Sequence, residues 1–401
     1  MSGESPLSMM RSAGPRLGNR RAGRGWRRPW LIVAAVAIIV AFALLWTWLW
    51  YYAASVADAA LSGWVEREAA AGRVYGCTTQ TIGGFPFRIE ALCTNPVAEI
   101  KNSQPQFTVR AEKVTFSAEV YHPTLLTGAV AGPLTLAESG KPPALLANWS
   151  RAQVRVRGRP PDPDDIAFIL DAPRLERASA AAGVGAALFE AKHADLEGRL
   201  VSGSARDNPV VEIVLHLAAA TAPTLHPLAS APIEMELDAT LHGFKDLSPK
   251  TWAEHFREMQ AAGGGIDVKF LRVARSNAIA VGKGTVSLNA HGKLDGLLNV
   301  AIVDIDHIVP LLGIDKMIGR GIDRLSGSEG ASQGLTALDK VLPGLGGALR
   351  DTANASLVDN LKKMGQPTEI DKKPAIVLPL RFSDGLVYLG MVPVGEVPPL
   401  F

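Results

Sequence analysis

Two cysteines are the residues of this chain whose type and spacing most readily suit a defined chemistry. Cys77 and Cys93 are the only cysteines among 401 residues, and the run Gly83-Gly84-Phe85-Pro86-Phe87-Arg88 lies between them. A C-x-x-C redox spacing is absent, and a zinc site would need histidines or further cysteines beside this pair. The pair therefore predicts a structural disulfide, provided that the segment lies in an oxidising compartment.

A hairpin between the two cysteines would bring their sulfur atoms together. Residues 78–82 are rich in threonine and favour a strand, and Phe87, Ile89, Ala91 and Cys93 fall on one face by the two-residue period of a strand. Gly83-Gly84 allows the positive φ of a tight reversal, and Pro86 fixes φ without donating a ladder hydrogen bond. The sequence predicts two strands paired around this turn, with Cys77 opposite Cys93.

The motifs that could support catalysis or metal binding each lack a required partner. Residues 330–334 fit the G-x-S-x-G pattern, but a nucleophile elbow needs a preceding apolar strand and a later histidine, and the last histidine is His307. The histidines show no H-E-x-x-H spacing. Asp162, Asp164 and Asp165 fit a solvated turn better than a calcium loop. We therefore expect no catalytic residue, no metal ligand and no cofactor, in a protein that is not an enzyme.

The amino-terminal segment predicts a membrane anchor. Seven arginines but one acidic residue precede residue 29, and residues 30–52 carry no charge. As a helix with ~1.5 Å rise per residue, residues 30–52 would span about 35 Å, enough to cross a bilayer core of about 30 Å. Trp and Tyr side chains gather at residues 46–52, and such rings favour the headgroup region.

The arginine cluster predicts the orientation of this anchor. Cytoplasmic flanks are enriched in Lys and Arg, so the amino terminus is expected in the cytoplasm and everything after Tyr52 outside it. The competing interpretation is a cleaved signal peptide, since Ala57 to Ala59 has a small-x-small form, but signal cores have only ~7 to 15 apolar residues. The expected location is the inner (plasma) membrane, with one span and a periplasmic bulk. The lipid bilayer is then an expected partner.

Composition favours a globular chain and excludes nucleic-acid binding. Apolar residues make up 47% of the chain and charged residues 20%, which is ordinary for a folded protein. The whole chain has 41 basic and 39 acidic residues, and the part after residue 28 has 34 and 38. Because phosphate backbones require clustered cations, nucleic acid is not an expected partner.

Beyond Cys93 the sequence alternates apolar and polar residues in many short segments, which Gly, Pro, Asp or Asn separate. This spacing predicts a mainly β (β-rich α+β) fold, with an extended antiparallel, meander-like sheet and a few packed helices. One helix is predicted from Ser248-Pro249 to about Gly263, and further helical segments from Asp306 to Leu361. Residues 374–394 are expected to return to the sheet as strands.

The chain divides into four predicted regions. They are a disordered basic cytoplasmic head (1–29), a transmembrane anchor (30–52), a membrane-proximal helix (53–72) and an extracytoplasmic β-rich domain (73–401). One extended domain is favoured over two, with the helix near residue 250 as a candidate joint.

Several of these segments together resemble a bacterial family. Residues 55–72 (SVADAALSGWVEREAAAG) follow the anchor, GGFPFRIEALC ends at Cys93, and the chain closes on IVLPLRFSDGLVYLGMVPVGEVPPL. This series resembles the uncharacterised bacterial membrane-protein family called domain of unknown function 2125, over nearly the whole chain from about residue 30. Its specific parts are the closing strand pair and the motif Gly84, Phe85, Pro86, Phe87 and Arg88. The resemblance supports the architecture and implies no activity.

A weaker likeness concerns two internal segments. ADLEGRLVSG and GKLDGLLNVAI both place an acidic residue before glycine in an alternating run. In this respect the chain is similar to AsmA-like envelope assembly proteins, whose long β-sheets form an apolar trough.

The Gly84 to Arg88 motif has a structural and a functional interpretation. Arg88 is the only cation between the cysteines. It either pairs with Glu90, which is the favoured interpretation, or contacts an anion or a lipid headgroup. Phe85 and Phe87 are expected to pack on the sheet rather than to form a ligand platform.

Two classes of function remain open for the whole chain. The first is a lipid-handling or envelope-assembly protein that binds a lipid or acyl chain along its sheet. Many strands but few helices are predicted, and the aromatic content of 6% suits acyl chains better than sugars. The second is an interaction scaffold whose partners are envelope proteins. A hydrolase is a distant third.

Overall fold

A computed structural model gives the fold and describes residues 27–159, 162–178, 185, 187–225, 227–248, 250–308 and 358–401. Three predictions lie outside these described residues: nearly all of the basic head, the helical segments between residues 309 and 357, and the G-x-S-x-G motif at 330–334. The chain divides into two compact units, residues 1–53 and residues 54–401.

The first half contains α1 (Arg27–Ala70), β1 (Arg73–Gly76), β2 (Thr79–Gly83), β3 (Arg88–Thr94), β4 (Val97–Ile100), β5 (Phe107–Arg110), β6 (Lys113–Glu119), β7 (His122–Ala131), β8 (Leu134–Glu138), β9 (Pro143–Asn148), β10 (Arg151–Arg159), β11 (Asp162–Asp171), β12 (Arg174–Arg177) and β13 (Ala187–Glu190). The second half contains β14 (His193–Ser204), β15 (Asp207–Ala220), a 3-10 helix (Pro227–Ser230), β16 (Ile233–His242), α2 (Trp252–Ala261), β17 (Gly265–Arg275), β18 (Ala278–Leu288), β19 (Leu294–Val303), α3 (Ile305–Ile308), β20 (Gln366–Ile370), β21 (Lys373–Ser383), β22 (Leu386–Leu389) and β23 (Val392–Glu396). Residues 358–364 are also helical.

Helix α1 carries the apolar segment predicted as an anchor. The predicted anchor and membrane-proximal helix are one uninterrupted helix of 44 residues. Its part from Trp30 to Ala70 is long and apolar enough to cross a membrane, with a mean hydropathy of 2.6 in its most apolar stretch. A helix that is apolar on all sides is typical of a membrane span, because no face of it prefers water. The chain is thus consistent with a single-pass membrane protein.

The strands form two antiparallel sheets within residues 54–401. The small sheet has seven strands in the order β1-β4-β5-β8-β9-β12-β13. The large sheet has sixteen, in the order β2-β3-β6-β7-β10-β11-β14-β15-β16-β17-β18-β19-β21-β22-β23, with β20 paired to β21. The predicted mainly β fold with an extended antiparallel sheet is confirmed. The second sheet was not predicted.

The two sheets are built by alternation along the chain. After β3 the chain leaves the large sheet for β4 and β5, returns for β6 and β7, and repeats this with β8 to β11 and then β12 and β13. From β14 to β19 each strand pairs with the next one in sequence. The sheet is therefore a meander over these strands, and the crossings between the two sheets within the described residues precede β14.

Helix α2 begins later than predicted. Its capping residue is Thr251 rather than Ser248, and its first residue is Trp252. The Thr251 hydroxyl accepts a hydrogen bond from the Glu254 N–H, and the Glu254 carboxylate accepts one from the Thr251 N–H at 2.8 Å. This reciprocal pair satisfies two amide donors at the helix start, which explains the shift from Ser248.

The main core lies at the β18 to β23 end of the large sheet. Leu298, Val300 and Leu378 from the strands pack against Val358 and Leu361 from the helical residues 358–364. Leu361 and Leu378 are both fully buried. A helix thus covers one face of the large sheet at this end. The predicted return of the closing segment is confirmed, since β21 pairs with β19 and β22.

Candidate functional site

One face of the large sheet carries a continuous apolar row that runs across its strands. The row is defined by residues that are directly opposite one another in the ladders, and such partners share a face. We call these residues the central row: Phe116, Gly128, Val154, Phe168, Leu196, Leu215, Leu237, Leu271, Gly282, Val300 and Leu378. It extends from β6 to β21 without a polar side chain.

Solvent exposure changes along the central row. At its β21 end, Leu378 is fully buried and Val300 is 7% exposed, under the helical residues 358–364. At its other end, Phe116, Phe168 and Leu196 are 39%, 48% and 40% exposed. With strands about 4.8 Å apart, the exposed stretch from β6 to β14 is about 19 Å long. The same row is therefore core at one end and apolar surface at the other.

The opposite face of the large sheet is charged. Arg157, Asp165, Arg199 and Glu212 are successive ladder partners on β10, β11, β14 and β15. Hydrogen bonds from Lys269 and Arg199 hold the pKa of the Glu212 carboxyl below its usual range. The charged ladder marks this face as the one that water covers, and the apolar face as the one available to a core or a ligand.

An apolar cleft lies where the exposed end of the row meets the small sheet and α1. Its volume is about 370 Å³, within the range of small-molecule sites. The lining residues come from α1 (Leu61, Trp64, Val65), from the small sheet and its flanks (Tyr75, Gly76, Pro96, Val97, Ala98, Val109, Ala111, Leu134) and from the large sheet and its flank (Cys77, Gln80, Ala91, Leu92, Cys93, Val114, Phe116, Val130). None of these residues is charged, so the cleft suits an apolar group.

Two contacts hold α1 over the cleft. The Trp64 and Tyr75 rings have their centroids 4.8 Å apart. The Gln80 side-chain amide donates a hydrogen bond to the Asp58 carboxylate at 3.3 Å. Leu61, Trp64 and Val65 follow the i, i+3, i+4 spacing of one helix face, and this spacing is the signal in the sequence for the side of α1 that faces the cleft.

A second hollow lies further along the same face. Its volume is about 210 Å³, and it includes Ile166, Phe168, Leu196 and Ile213 of three neighbouring strands. Phe168 and Leu196 belong to the central row. The cleft and the hollow therefore lie on one apolar face, and the exposed row connects them.

Gly128 shows how closely side chains pack on this face. A Cβ atom at this position would lie 2.5 Å from Val154 Cγ1 and 2.9 Å from Phe116 Cε1. The glycine leaves room for these two neighbours in the row. A larger residue would push them apart at the mouth of the cleft.

The two cysteines form the predicted disulfide, with their Cα atoms 5.5 Å apart. They are not directly opposite in the hairpin, however, because the partner of Cys93 in the ladder is Gln80. Cys77 lies between β1 of the small sheet and β2 of the large sheet. The disulfide therefore fixes the crossing between the two sheets at the edge of the cleft, rather than the middle of a hairpin.

The motif residues Gly84 to Phe87 form the turn between β2 and β3, and Arg88 is the first residue of β3. Gly84 has φ +97°, and a Cβ there would lie 2.6 Å from the Arg88 carbonyl oxygen. The Arg88 N–H donates to the Gly84 carbonyl at 3.1 Å, and the Phe85–Pro86 peptide bond is cis. Arg88 Nε lies 3.5 Å from the Glu90 carboxylate. Phe85 and Phe87, which were expected to pack on the sheet, are instead 51% and 63% exposed.

A histidine cluster lies on the charged face. His193 Nδ1 is 2.6 Å from the Asp171 carboxylate, and its Nε2 is 2.7 Å from the Asp195 carboxylate. Asp171 also accepts a hydrogen bond from Arg151 at 2.8 Å. The hydrogen bonds to Asp195 and Asp171 raise the pKa of His193. Because both ring nitrogens are engaged by carboxylates, this cluster is a charge pair within the sheet.

Within the described ranges, no group of three or more His, Cys, Asp or Glu side chains is arranged to hold a metal ion. Asp165 lies in β11 rather than in a turn, opposite Arg199 in the ladder. His255 lies on α2, with its ring centroid 5.8 Å from that of Phe244. Asp165 is thus part of a paired strand, and His255 lies beside an aromatic ring.

Comparisons with known proteins identify one family. The sequence model of a family described as an uncharacterized protein conserved in bacteria, DUF2125, matches residues 50–398. No curated protein and no solved structure matches the chain.

Proposed function

We propose that this chain, which belongs to the DUF2125 family, holds an acyl chain or a similar apolar lipid segment against its large sheet. It would act by binding, without a covalent reaction. The observation that carries this proposal is the central row, which is core at β21 and 40% exposed or more at Phe168 and Leu196. Soluble proteins seldom leave a continuous apolar face uncovered without a binding role for it.

The dimensions of the exposed face suit an acyl chain. Half of a bilayer core is about 15 Å thick, and the exposed part of the row is about 19 Å long. Each buried methylene contributes about 0.8 kcal/mol, so ten methylenes against the row would contribute about 8 kcal/mol before the cost of ordering the chain. Because no charged side chain lines the cleft, binding of an acyl chain there removes no ion from water.

The proposed location is the periplasmic side of the inner membrane, with the amino terminus in the cytoplasm. The arginines before residue 29 support this orientation, and so does the disulfide, because oxidised cysteine pairs persist outside the cytoplasm. A reporter that is active only outside the cytoplasm, fused after Phe401, should be active. Deletion of residues 20–28 should lower that activity, and activity of a cytoplasmic reporter alone would contradict the orientation.

Lipid binding is tested by filling the cleft in the full chain. Ala98 lines the cleft on β4, and Ala129 is exposed on the opposite face of β7. A phospholipid with a photoreactive group on its acyl chain should label wild type and Ala129→Trp alike. Ala98→Trp should lose most of the labelling of peptides that contain Val114 or Leu134, because the indole occupies the cleft.

The thermal midpoint of each variant serves as a control for folding. Equal labelling of the wild type and both variants, or labelling confined to α1, would contradict the proposal. The interaction scaffold would then be the better hypothesis for this chain.

A further inference from the structure

Three exposed aromatic residues lie on two hydrogen-bonded turns at one corner of the large sheet. Phe85 and Phe87 lie in the turn between β2 and β3, and Tyr121, 61% exposed, lies in the turn between β6 and β7. The Val120 N–H donates to the Phe87 carbonyl at 2.9 Å, which joins the two turns. We call these three residues the aromatic corner. A group of exposed aromatic residues is typical of a surface that contacts a partner or a membrane.

The position of the corner follows from contacts between α1 and the first strands. Arg73 forms a salt bridge with Glu68. The Tyr75 ring lies against the Trp64 ring, and the Gln80 side chain donates a hydrogen bond to Asp58. Residues that come later in the strands thus contact residues that come earlier in the helix. The strands β1 and β2 therefore run antiparallel to α1, and β2 leads back toward Ala54. The turn that follows β2 lies at this same end of the unit, where the chain enters from the apolar segment.

Covalent continuity therefore indicates what covers the corner. The residues immediately before Ala54 belong to the helix that is long and apolar enough to cross a membrane. The chain therefore enters the unit of residues 54–401 directly from this helix, and it does so at the end where Ala54 lies. No second protein is needed to bring an apolar surface to this place.

The side chains at the corner suit the boundary between headgroups and acyl chains. Phenylalanine contributes apolar area, and tyrosine combines a ring with a hydroxyl that can remain among polar groups. The Arg88 side chain is 61% exposed, and a guanidinium matches the geometry of a phosphate. Glu90 and Glu119 lie beside it in the ladder. Their charges oppose attraction to anionic lipid, so the contact depends on the rings rather than on net charge.

The corner is held in shape before it meets a membrane. The Arg88 N–H to Gly84 carbonyl bond closes the turn, and the disulfide fixes the start of β2 to the end of β3. Little conformational freedom remains for these turns to lose on contact. Such preorganisation lowers the cost of association.

We propose that the aromatic corner, Phe85, Phe87 and Tyr121, inserts into the headgroup region of the bilayer as a second membrane contact beside the apolar helix, with Arg88 at the lipid phosphates. This contact sets the orientation of the sheets above the membrane. It does not depend on whether the cleft binds an acyl chain.

The test uses the full chain in vesicles of phosphatidylethanolamine and phosphatidylglycerol. Benzoylphenylalanine replaces Phe85, Phe87 or Tyr121 one at a time, and irradiation is followed by mass spectrometry for lipid adducts. Matched controls carry the same residue at Leu225 or Met391, each 80% exposed. Both control positions lie in connections at the opposite ends of the strands, after β15 and β22.

Adducts to lipid at the three corner positions, at least several-fold above both controls, are the expected result. The proposal is overturned if the corner yields match those of the controls, or if the corner forms adducts only with peptides. Every variant is scored for an intact disulfide, and a variant that lacks it is replaced by Phe85→Ser or Phe87→Ser.

In the presence of vesicles, a protease should cleave the β2–β3 turn of these serine variants faster than the same turn of the wild type. An unchanged cleavage rate also overturns the proposal.

Discussion

Two leucines of the central row provide the sharpest stability comparison. Leu378 is fully buried and Leu196 is 40% exposed, although both belong to the same apolar row. Truncation of a fully buried leucine to alanine costs about 2 to 5 kcal/mol, because a cavity is left behind. At Leu196 part of the side chain is already in water and the neighbours can relax, so the expected cost of Leu196→Ala is about 1 kcal/mol.

The assay is denaturation of the full chain by urea in one detergent, with the circular dichroism of the sheet as the signal. Leu225→Ala, at an 80% exposed position, supplies the surface reference. The loss in free energy of unfolding should be largest for Leu378→Ala, smaller for Leu196→Ala and smallest for Leu225→Ala, in the order of burial of the three leucines. An added fatty acid should stabilise the wild type more than Leu196→Ala, since a ligand that binds only the folded state shifts the midpoint.

Equal losses for Leu196→Ala and Leu378→Ala would refute the reasoning. Such a result would mean that the exposed half of the row is closed core in the protein in solution. It would remove the main support for acyl-chain binding, because that proposal depends on an exposed apolar row.

Three further predictions concern single positions. Cys77→Ser should lower the free energy of unfolding by about 2 to 5 kcal/mol without reductant, and an unchanged value with free thiols in the wild type would contradict the disulfide. Gly84→Ala should cost at least about 1 to 2 kcal/mol, because φ is positive there and the new Cβ would lie 2.6 Å from the Arg88 carbonyl oxygen. Gly76→Ala, with nothing within 4 Å of the new Cβ, should cost little in the same melt. Because the folded protein raises the pKa of His193, the protonated ring stabilises the fold to its full extent below about pH 6.5. This contribution is lost as the pH rises through the raised pKa. His193→Gln should therefore flatten the pH dependence of the thermal midpoint above pH 6.5, and an unaltered pH profile would show that the two aspartates do not stabilise the imidazolium.

The strands were predictable from the sequence, but their distribution between two sheets was not. Segments such as Phe107–Arg110 of the small sheet and Lys113–Glu119 of the large sheet show the same two-residue alternation. That alternation reports that one face is apolar, without specifying the partner strand. The crossings depend on which apolar faces meet in three dimensions, so they become visible only in the fold.

The cysteine pair illustrates the same limit at the candidate site. The sequence predicted the bond correctly, yet it placed Cys77 opposite Cys93, whereas the ladder pairs Cys93 with Gln80. The displacement arises because Cys77 precedes β2, at the crossing from the small sheet. Likewise, Leu196 and Leu378 occupy equivalent positions in the alternating pattern. The difference in their burial arises because the helical residues 358–364 cover Leu378, whereas Leu196 is 40% exposed.

The two proposals concern neighbouring parts of the same strands, and their tests can fail separately. Phe116 in the cleft and Tyr121 at the corner are five positions apart along β6 and its turn, about 17 Å in an extended strand. A lipid that left the bilayer at the corner would therefore meet the cleft within roughly its own length. Adducts at the corner without labelling in the cleft would make the corner an orienting contact only. Labelling in the cleft without adducts at the corner would require lipid to enter elsewhere along the exposed row, with the hollow near Phe168 as the first place to examine.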